Sequence, residues 1–161
     1  MSKTFEQVAA EVINIPALVK ANEVRLQTVA CSSVLGVLLQ RIFNKGEAAD
    51  GGLIGPTLSS NRFGAYSEKY GRLRESKGRR VDKVDLQFSG SLFESIQIGT
   101  SGGKQVIGIT SAEQTQIAEK QEKVNFKKPI FRATESEAQI GFNALRANLD
   151  IIIKGIINAG Q

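Results

Sequence analysis

The sequence predicts an α+β fold with segregated elements, on three observations. Apolar residues recur at threes and fours from Pro16 to about Phe43 and again from Leu145 to Ile157, the spacing of helices with one apolar stripe. Between them Ile96 and Ile98 alternate with Gln97 and Gly99, and Ile107 and Ile109 with Gly108 and Thr110, the period of two that marks strands. The 161 residues, 41% hydrophobic and 23% charged, amount to one domain with enough apolar content for a core. A single domain over 1–161 is therefore expected, with 1–15 as a helical extension and 44–83 as a long loop and basic segment suited to docking.

Residues 4–13 open as a short helix, with Thr4 as cap and Gln7 three residues on. Asn14-Ile15-Pro16 interrupts it, because proline disfavours a helical residue before it yet suits a first turn. A long helix is expected over 16–43, with Val19, Leu26, Val29, Ala30, Val34, Val37, Leu38 and Phe43 on its apolar side. Residues 44–65 are rich in Gly, Asn, Asp, Ser and Pro and read as a loop. Tyr66–Lys77 reads as a short basic helix ending at Gly78, followed by a turn near Gly90 and a helical turn at Leu92-Phe93. The hairpin is expected to turn through Thr100–Lys104. A helix over 112–124, an extended strand at Pro129-Ile130-Phe131 and a last helix capped by Thr134 with Glu137 complete the order. The last helix carries Leu145, Leu149, Ile152, Ile153, Ile156 and Ile157 as its stripe.

No basic start followed by an apolar run opens the chain, so an exported protein is not expected. The longest apolar-rich stretch, Val29–Leu39, falls short of the roughly 20 residues that cross a bilayer, so no membrane partner is expected and the chain reads as soluble and made in the cytoplasm. The net charge of +5 is concentrated. Arg62, Lys69, Arg72, Arg74, Lys77, Arg79, Arg80 and Lys83 stand against Glu68, Glu75 and Asp82, an excess of five in one stretch, while the remaining 13 basic and 13 acidic residues cancel. Such a stretch serves as a solvated face, a dock for an acidic protein surface, or a seat for nucleic acid with Phe63, Tyr66 and Tyr70 as stacking rings.

The residues argue against catalysis. There is no histidine, which removes the usual proton shuttle and most zinc sites. The lone Cys31 lies in the apolar helix and reads as packing. Gly99–Lys104 lacks the first glycine, the following Ser or Thr and the helix of a phosphate loop, so it reads as a hairpin turn. Asp82 and Asp85 have no third ligand near them, and Ser59, Ser60, Ser89 and Ser91 have no activating base. The expectation is a non-enzymatic chain with no catalytic residues, metal or cofactor.

One order of motifs suggests a family. Arg41-Ile-Phe43 runs into a polar loop with Asp50-Gly51, Ile54-Gly55 and Ser59; a basic helix follows, then Asp85-Leu86-x-Phe88-Ser89-Gly90-x-Leu92-x-x-Ser95-Ile96. Over about residues 40–155 this resembles the tailed-phage virion morphogenesis proteins, the tail-completion and head–tail joining group. Leu53-Ile54-Gly55-Pro56 stands where that family often has a Trp and Pro after Asp-Gly, and Lys128 where arginine is common. The resemblance implies a virion structural protein of the tail or neck, made in a host bacterium. It implies a homo-oligomeric ring, commonly a hexamer, that caps the tail tube and docks to tail-tube and connector proteins, with DNA in the channel as a further contact. Val34, Val37, Leu38, Phe43, Ile152, Ile153, Ile156 and Ile157 are the candidate subunit-packing residues, the bland reading being that the two segments pack on each other within one chain. The alternatives are a small basic nucleic-acid-binding protein and an equivalent ring protein of a contractile injection system.

Overall fold

Residue Asn22 breaks the first long helix. The computed structural model describes residues 14–87 and 89–158, with side chains as far as Gly155; the helix expected over 4–13 lies outside them. Helix α1 (Ile15–Ala21) has proline in its first turn, and the Asn22 side-chain amide donates to Leu18 O at 2.9 Å, so the residue satisfies the end of one helix outside helical geometry. Helix α2 (Glu23–Leu39) then runs into a π-helical turn over Gln40–Lys45 that ends at Gly46 with φ +70°. The single rod expected over 16–43 is thus two helices, the second ending in a wider turn.

The core gathers at the C-terminal end of α2. Leu38, Ile42 and Phe43 meet Ala48 and Ile54 of the loop, Tyr66, Val84, Leu92 and Ile96 from the middle of the chain, and Phe126 and Ile130. The loop after α2 is irregular, as its composition predicts, but it is built into this core. Ala48 and Ile54 are fully buried, and loop amides reach other segments, Ala49 N–H to Pro129 O (2.7 Å) and Leu58 N–H to Asn125 O (3.1 Å). A two-residue ribbon, β1 (Arg62–Phe63) against β2 (Tyr66–Ser67), leads to helix α3 (Glu68–Ser76).

Helix α4 (Ser91–Ser95) leads into the predicted hairpin, β3 (Ile96–Ser101) and β4 (Lys104–Ile109), in antiparallel register from Ile96↔Ile109 to Ser101↔Lys104. Gly102 and Gly103 both have positive φ, which a two-residue turn of this hand requires. Helix α5 (Ala112–Lys120) starts at Ser111, whose hydroxyl accepts from Gln114 N–H, and ends in a second π-helical turn over Gln121–Phe126. Pro129-Ile130-Phe131 is not a strand. The Ile130 and Phe131 N–H groups both donate to Glu122 Oε1, and Ile130 O accepts from Arg41, so side chains take the backbone groups that a strand would offer a neighbour.

The last helix, α6 (Glu135–Asn158), starts with the predicted capping box: Glu137 N–H donates to Thr134 Oγ1 (3.1 Å) and Thr134 N–H to Glu137 Oε2 (2.8 Å). It runs antiparallel to α2, because Glu137 meets Arg41 while Gly141 lies against Ala30 and Val34. A Cβ on Gly141 would stand 2.6 Å from Val34 Cγ2 and 3.2 Å from Ala30 O, so only glycine lets the helices approach this closely. The other side of α2 carries the hairpin, Cys31 Sγ donating to Gln105 O and Gln105 N–H to Gln27 Oε1. The molecule is a head around the end of α2 with a stalk in which α2, preceded by α1, carries α6 on one side and the hairpin on the other. Among the described residues Glu23–Lys45 is one helix long and apolar enough to cross a membrane, more than Val29–Leu39 alone promised. Its Leu26, Leu38, Ile42 and Phe43 are buried in the protein, and Arg41 is paired there.

Candidate assembly surfaces

The predicted packing residues divide between core and stalk. Leu38 and Phe43 are each 2% exposed, so they are corrected from interface to core. The π-helical turn swings Phe43 inward, where its ring meets Phe93 edge-on at 5.2 Å. Val34 and Val37 are half-buried on α2, with Val34 beneath Gly141. Ile152 and Ile153 are half-buried on α6, and the side chains of Ile156 and Ile157 lie outside the described residues. The two apolar segments thus pack on each other in one chain, at least along Val34 and Gly141.

That packing uses only the middle of the α6 face. Ile140, Ala144, Ala147 and Ile151, at i, i+4, i+7 and i+11, form a second stripe on one flank, with Ile151 63% exposed. Phe142 stands on the other flank, 58% exposed, and Val24 on α2 is 59% exposed. The sequence reading followed the 145–149–152 stripe and passed over these residues; the signal was an apolar arc too wide for one helix partner.

The basic surface keeps seven of its eight residues. Arg62, Lys69, Arg72, Lys77, Arg79 and Arg80 are exposed, and Lys83 is half-buried with its ammonium donating to Asn44 O. Arg74 is corrected: it is fully buried. Its guanidinium donates to Arg80 O (3.0 Å), Gln87 O (3.0 Å) and Asp85 Oδ1 (2.8 Å) and lies over the rings of Tyr66 (4.4 Å) and Tyr70 (5.8 Å). Two of the rings considered for base stacking are therefore engaged by an internal arginine; the third, Phe63, is covered by Arg72 at 5.1 Å. On α3, Glu68 pairs with Arg72 at 3.0 Å, and Arg80 pairs with Asp82. Among the described residues no carboxylate pairs with Arg62, Lys69, Lys77 or Arg79.

The family-motif residues are framework. Phe43, Ile54, Leu92 and Ile96 are in the core. Asp50 Oδ1 accepts from Gly52 N–H at 3.0 Å, with Gly51 at φ +83° finishing the turn, and Gly55 precedes Pro56 through a cis bond. Ser59 Oγ donates to Asn61 O (2.9 Å). Asp85, 9% exposed, accepts from Arg74, from the Tyr66 hydroxyl (3.1 Å) and from Gln87 N–H (3.0 Å), so it is not joined to Asp82. Leu86 adopts φ +52°, Ser89 shares a hydrogen bond with Ser91, and Gly90 at φ +92° caps α4. Ser95 Oγ donates to Leu92 O, and its carbonyl accepts from Thr110 N–H (2.9 Å), tying α4 to the end of the hairpin. Phe88 lies outside the described residues.

Tyr66 and Glu137 titrate away from their ordinary ranges. Burial pushes the Tyr66 hydroxyl far above the ordinary tyrosine range. Burial pushes the Glu137 carboxyl up, but hydrogen bonds from Arg41 and from the Thr134 N–H, with the charge of Arg41, outweigh it and hold the group below the usual carboxylate range.

One groove of about 830 Å³ opens on the head between α5 with its π-helical turn, the 57–59 segment, and Tyr66 and Tyr70. Its floor is Tyr66, Leu92 and Phe126, with Ile117 on a wall, and Leu58 and Val124 stand on its lips more than half exposed. Among the described residues Glu113 is the one charged side chain that lines it, beside hydroxyls and amides. No family model, curated protein or solved structure matches this chain.

Proposed function

We propose that this chain is a structural virion protein of a tailed phage, a subunit of an oligomeric ring at the head–tail interface that completes the tail or joins it to the neck. The observation that carries the self-assembly part of this reading is the uncovered apolar surface of the stalk. Ile140, Phe142 and Ile151 on α6 and Val24 on α2 stand exposed in a single chain, and each is worth about 1.5–3 kcal/mol if fully buried. A second copy laid along the stalk removes that surface from water. The phage role rests on the motif order, and Lys77 and Arg79 beyond α3, exposed and without an ion-pair partner among the described residues, supply a face for an acidic neighbour in such an assembly.

Light scattering followed by negative-stain imaging tests the reading. The expected result is one discrete multiple of 17.4 kDa that images as a closed ring. Phe142→Glu combined with Ile151→Glu should shift the mass to monomer while the far-ultraviolet circular dichroism stays unchanged. A wild-type chain that stays monomeric at high concentration and holds DNA through several hundred millimolar salt would replace this reading with nucleic-acid binding.

A further inference from the structure

We infer that the outer edge of β3 pairs with the same edge of a second copy of this chain, antiparallel about Gly99, so that two hairpins make one four-stranded sheet. The inference rests on the self-assembly reading above and adds to it a contact on the side of α2 opposite α6.

The register fixes which backbone groups face outward. Thr110 N–H donates to Ser95 O at 2.9 Å, so these two residues, next in register after Ile96↔Ile109, are a hydrogen-bonded pair of the antiparallel ladder. Every second pair then exchanges bonds, Gln97 with Gly108, Gly99 with Val106 and Ser101 with Lys104, and the residues between them turn their N–H and C=O groups away. Gln105 follows this alternation on β4: its N–H meets Gln27 Oε1 (2.9 Å) and its carbonyl the Cys31 thiol, both on α2. On β3 the outward groups are those of Ile98 and Thr100. Among the described residues no third strand and no other hydrogen-bonding group meets them.

An edge of unpaired amides and carbonyls binds an extended strand. Such edges are ordinarily guarded by lysine, proline or a bulge, and β3, Ile-Gln-Ile-Gly-Thr-Ser, has none of these. With a two-fold axis at Gly99, Ile98 of each copy exchanges both hydrogen bonds with Thr100 of the other, which satisfies every outward N–H and C=O of the two residues. Gly99 then faces Gly99 at the closer spacing of a non-hydrogen-bonded pair, roughly 4.5 Å between Cα atoms. Within its own chain this position has no need of glycine: a Cβ there meets nothing within 4 Å, and φ is not positive. A strand glycine of that kind marks the close approach of another backbone.

Charge selects a second copy as the occupant. Lys104 at the tip of the hairpin and Glu94 in α4, just before β3, are exposed and have no ion-pair partner among the described residues. Antiparallel pairing brings the tip of each hairpin toward the start of the other's β3, so Lys104 of each copy approaches Glu94 of the other. The contact is short and holds little by itself. Made repeatedly in an assembly already joined along the stalk, it counts.

Cysteine trapping in the full chain tests this. In a Cys31→Ser background, Gly99→Cys should form a disulfide-linked dimer on mild oxidation about tenfold or more faster than Gly108→Cys, which lies on the same exposed face but on β4, away from the axis. Equal rates overturn the inference. Gly99→Glu and Gly99→Lys, each placed in open space, should separately weaken assembly about tenfold or more by light scattering with unchanged far-ultraviolet circular dichroism, and mixing them one to one should restore it. A mixture no better than its components overturns the pairing about Gly99. Wild-type chain that assembles while both charged variants assemble equally well overturns the β3 contact and leaves the self-assembly reading standing. A wild-type chain that stays monomeric, with Gly99→Cys no faster than Gly108→Cys, overturns both.

Discussion

Two arginines, Arg41 of the motif order and Arg74 of the basic stretch, are internal fasteners. Arg41 donates to Glu137 (2.8 Å) and to the carbonyl oxygens of Glu47, Ile130 and Arg132, joining the end of α2, the loop and the start of α6. Removing it leaves a buried carboxylate without its cation and three carbonyls without this donor. Arg41→Ala should therefore cost about 3–5 kcal/mol, read as a lower urea midpoint. The internal titrating groups bound the pH range of stability. Glu137, with its folded pKa below the usual value, contributes stability that is present above the unfolded carboxyl range near ~4.3 and lost as pH falls through the folded value. Tyr66, with its folded pKa raised, contributes stability that is full below about 10 and lost as pH rises above it. Urea midpoints across pH should fall on both limbs; Glu137→Gln should flatten the acid limb and Tyr66→Phe the alkaline one. Equal slopes in the variants and the wild type would refute the assignment.

Among the elements, the contact between α2 and α6 is the most exacting. The approach at Gly141 leaves no room for a methyl group, and the obstacle includes the Ala30 backbone oxygen, which has no rotamer to change. Gly141→Ala should destabilise by about 1–3 kcal/mol despite its better helix propensity, measured by chemical denaturation. A stabilised Gly141→Ala would show that the helices separate without cost. Local elements were legible because their determinants are local: the alternation of Ile96, Ile98, Ile107 and Ile109 around Gly102-Gly103, and the Thr134–Glu137 pair, act across a few residues. Pro129–Phe131 was not legible. An apolar run states that it will be buried and leaves open what will accept its hydrogen bonds, here Glu122 and Arg41.

At the scale of the whole molecule, the charge excess is narrower than the sequence suggests. Burial of Arg74 against Asp85 and the pairing on α3 leave Lys77 and Arg79, in the turn after α3, as exposed cations without an ion-pair partner among the described residues, with Arg62 on the ribbon and Lys69 on α3. If the chain forms the proposed ring and that turn docks an acidic neighbour, Lys77→Glu with Arg79→Glu should leave the mass of the ring unchanged and slow its attachment to tails, with the difference shrinking at high salt. Loss of the ring itself in that variant would place the basic turn inside the subunit contact.

Taken alone, the sequence determined the α+β class, the hairpin, the last helix with its cap, and the apolar composition of both long helices, because propensity, alternation and capping act between neighbours along the chain. Tertiary structure alone decided that Arg74 and Phe43 face inward, that the loop after α2 belongs to the core, and that α6 keeps two apolar flanks after meeting α2. A side chain's exposure depends on partners as far away as the 96 positions between Arg41 and Glu137, and no local pattern encodes a contact of that span.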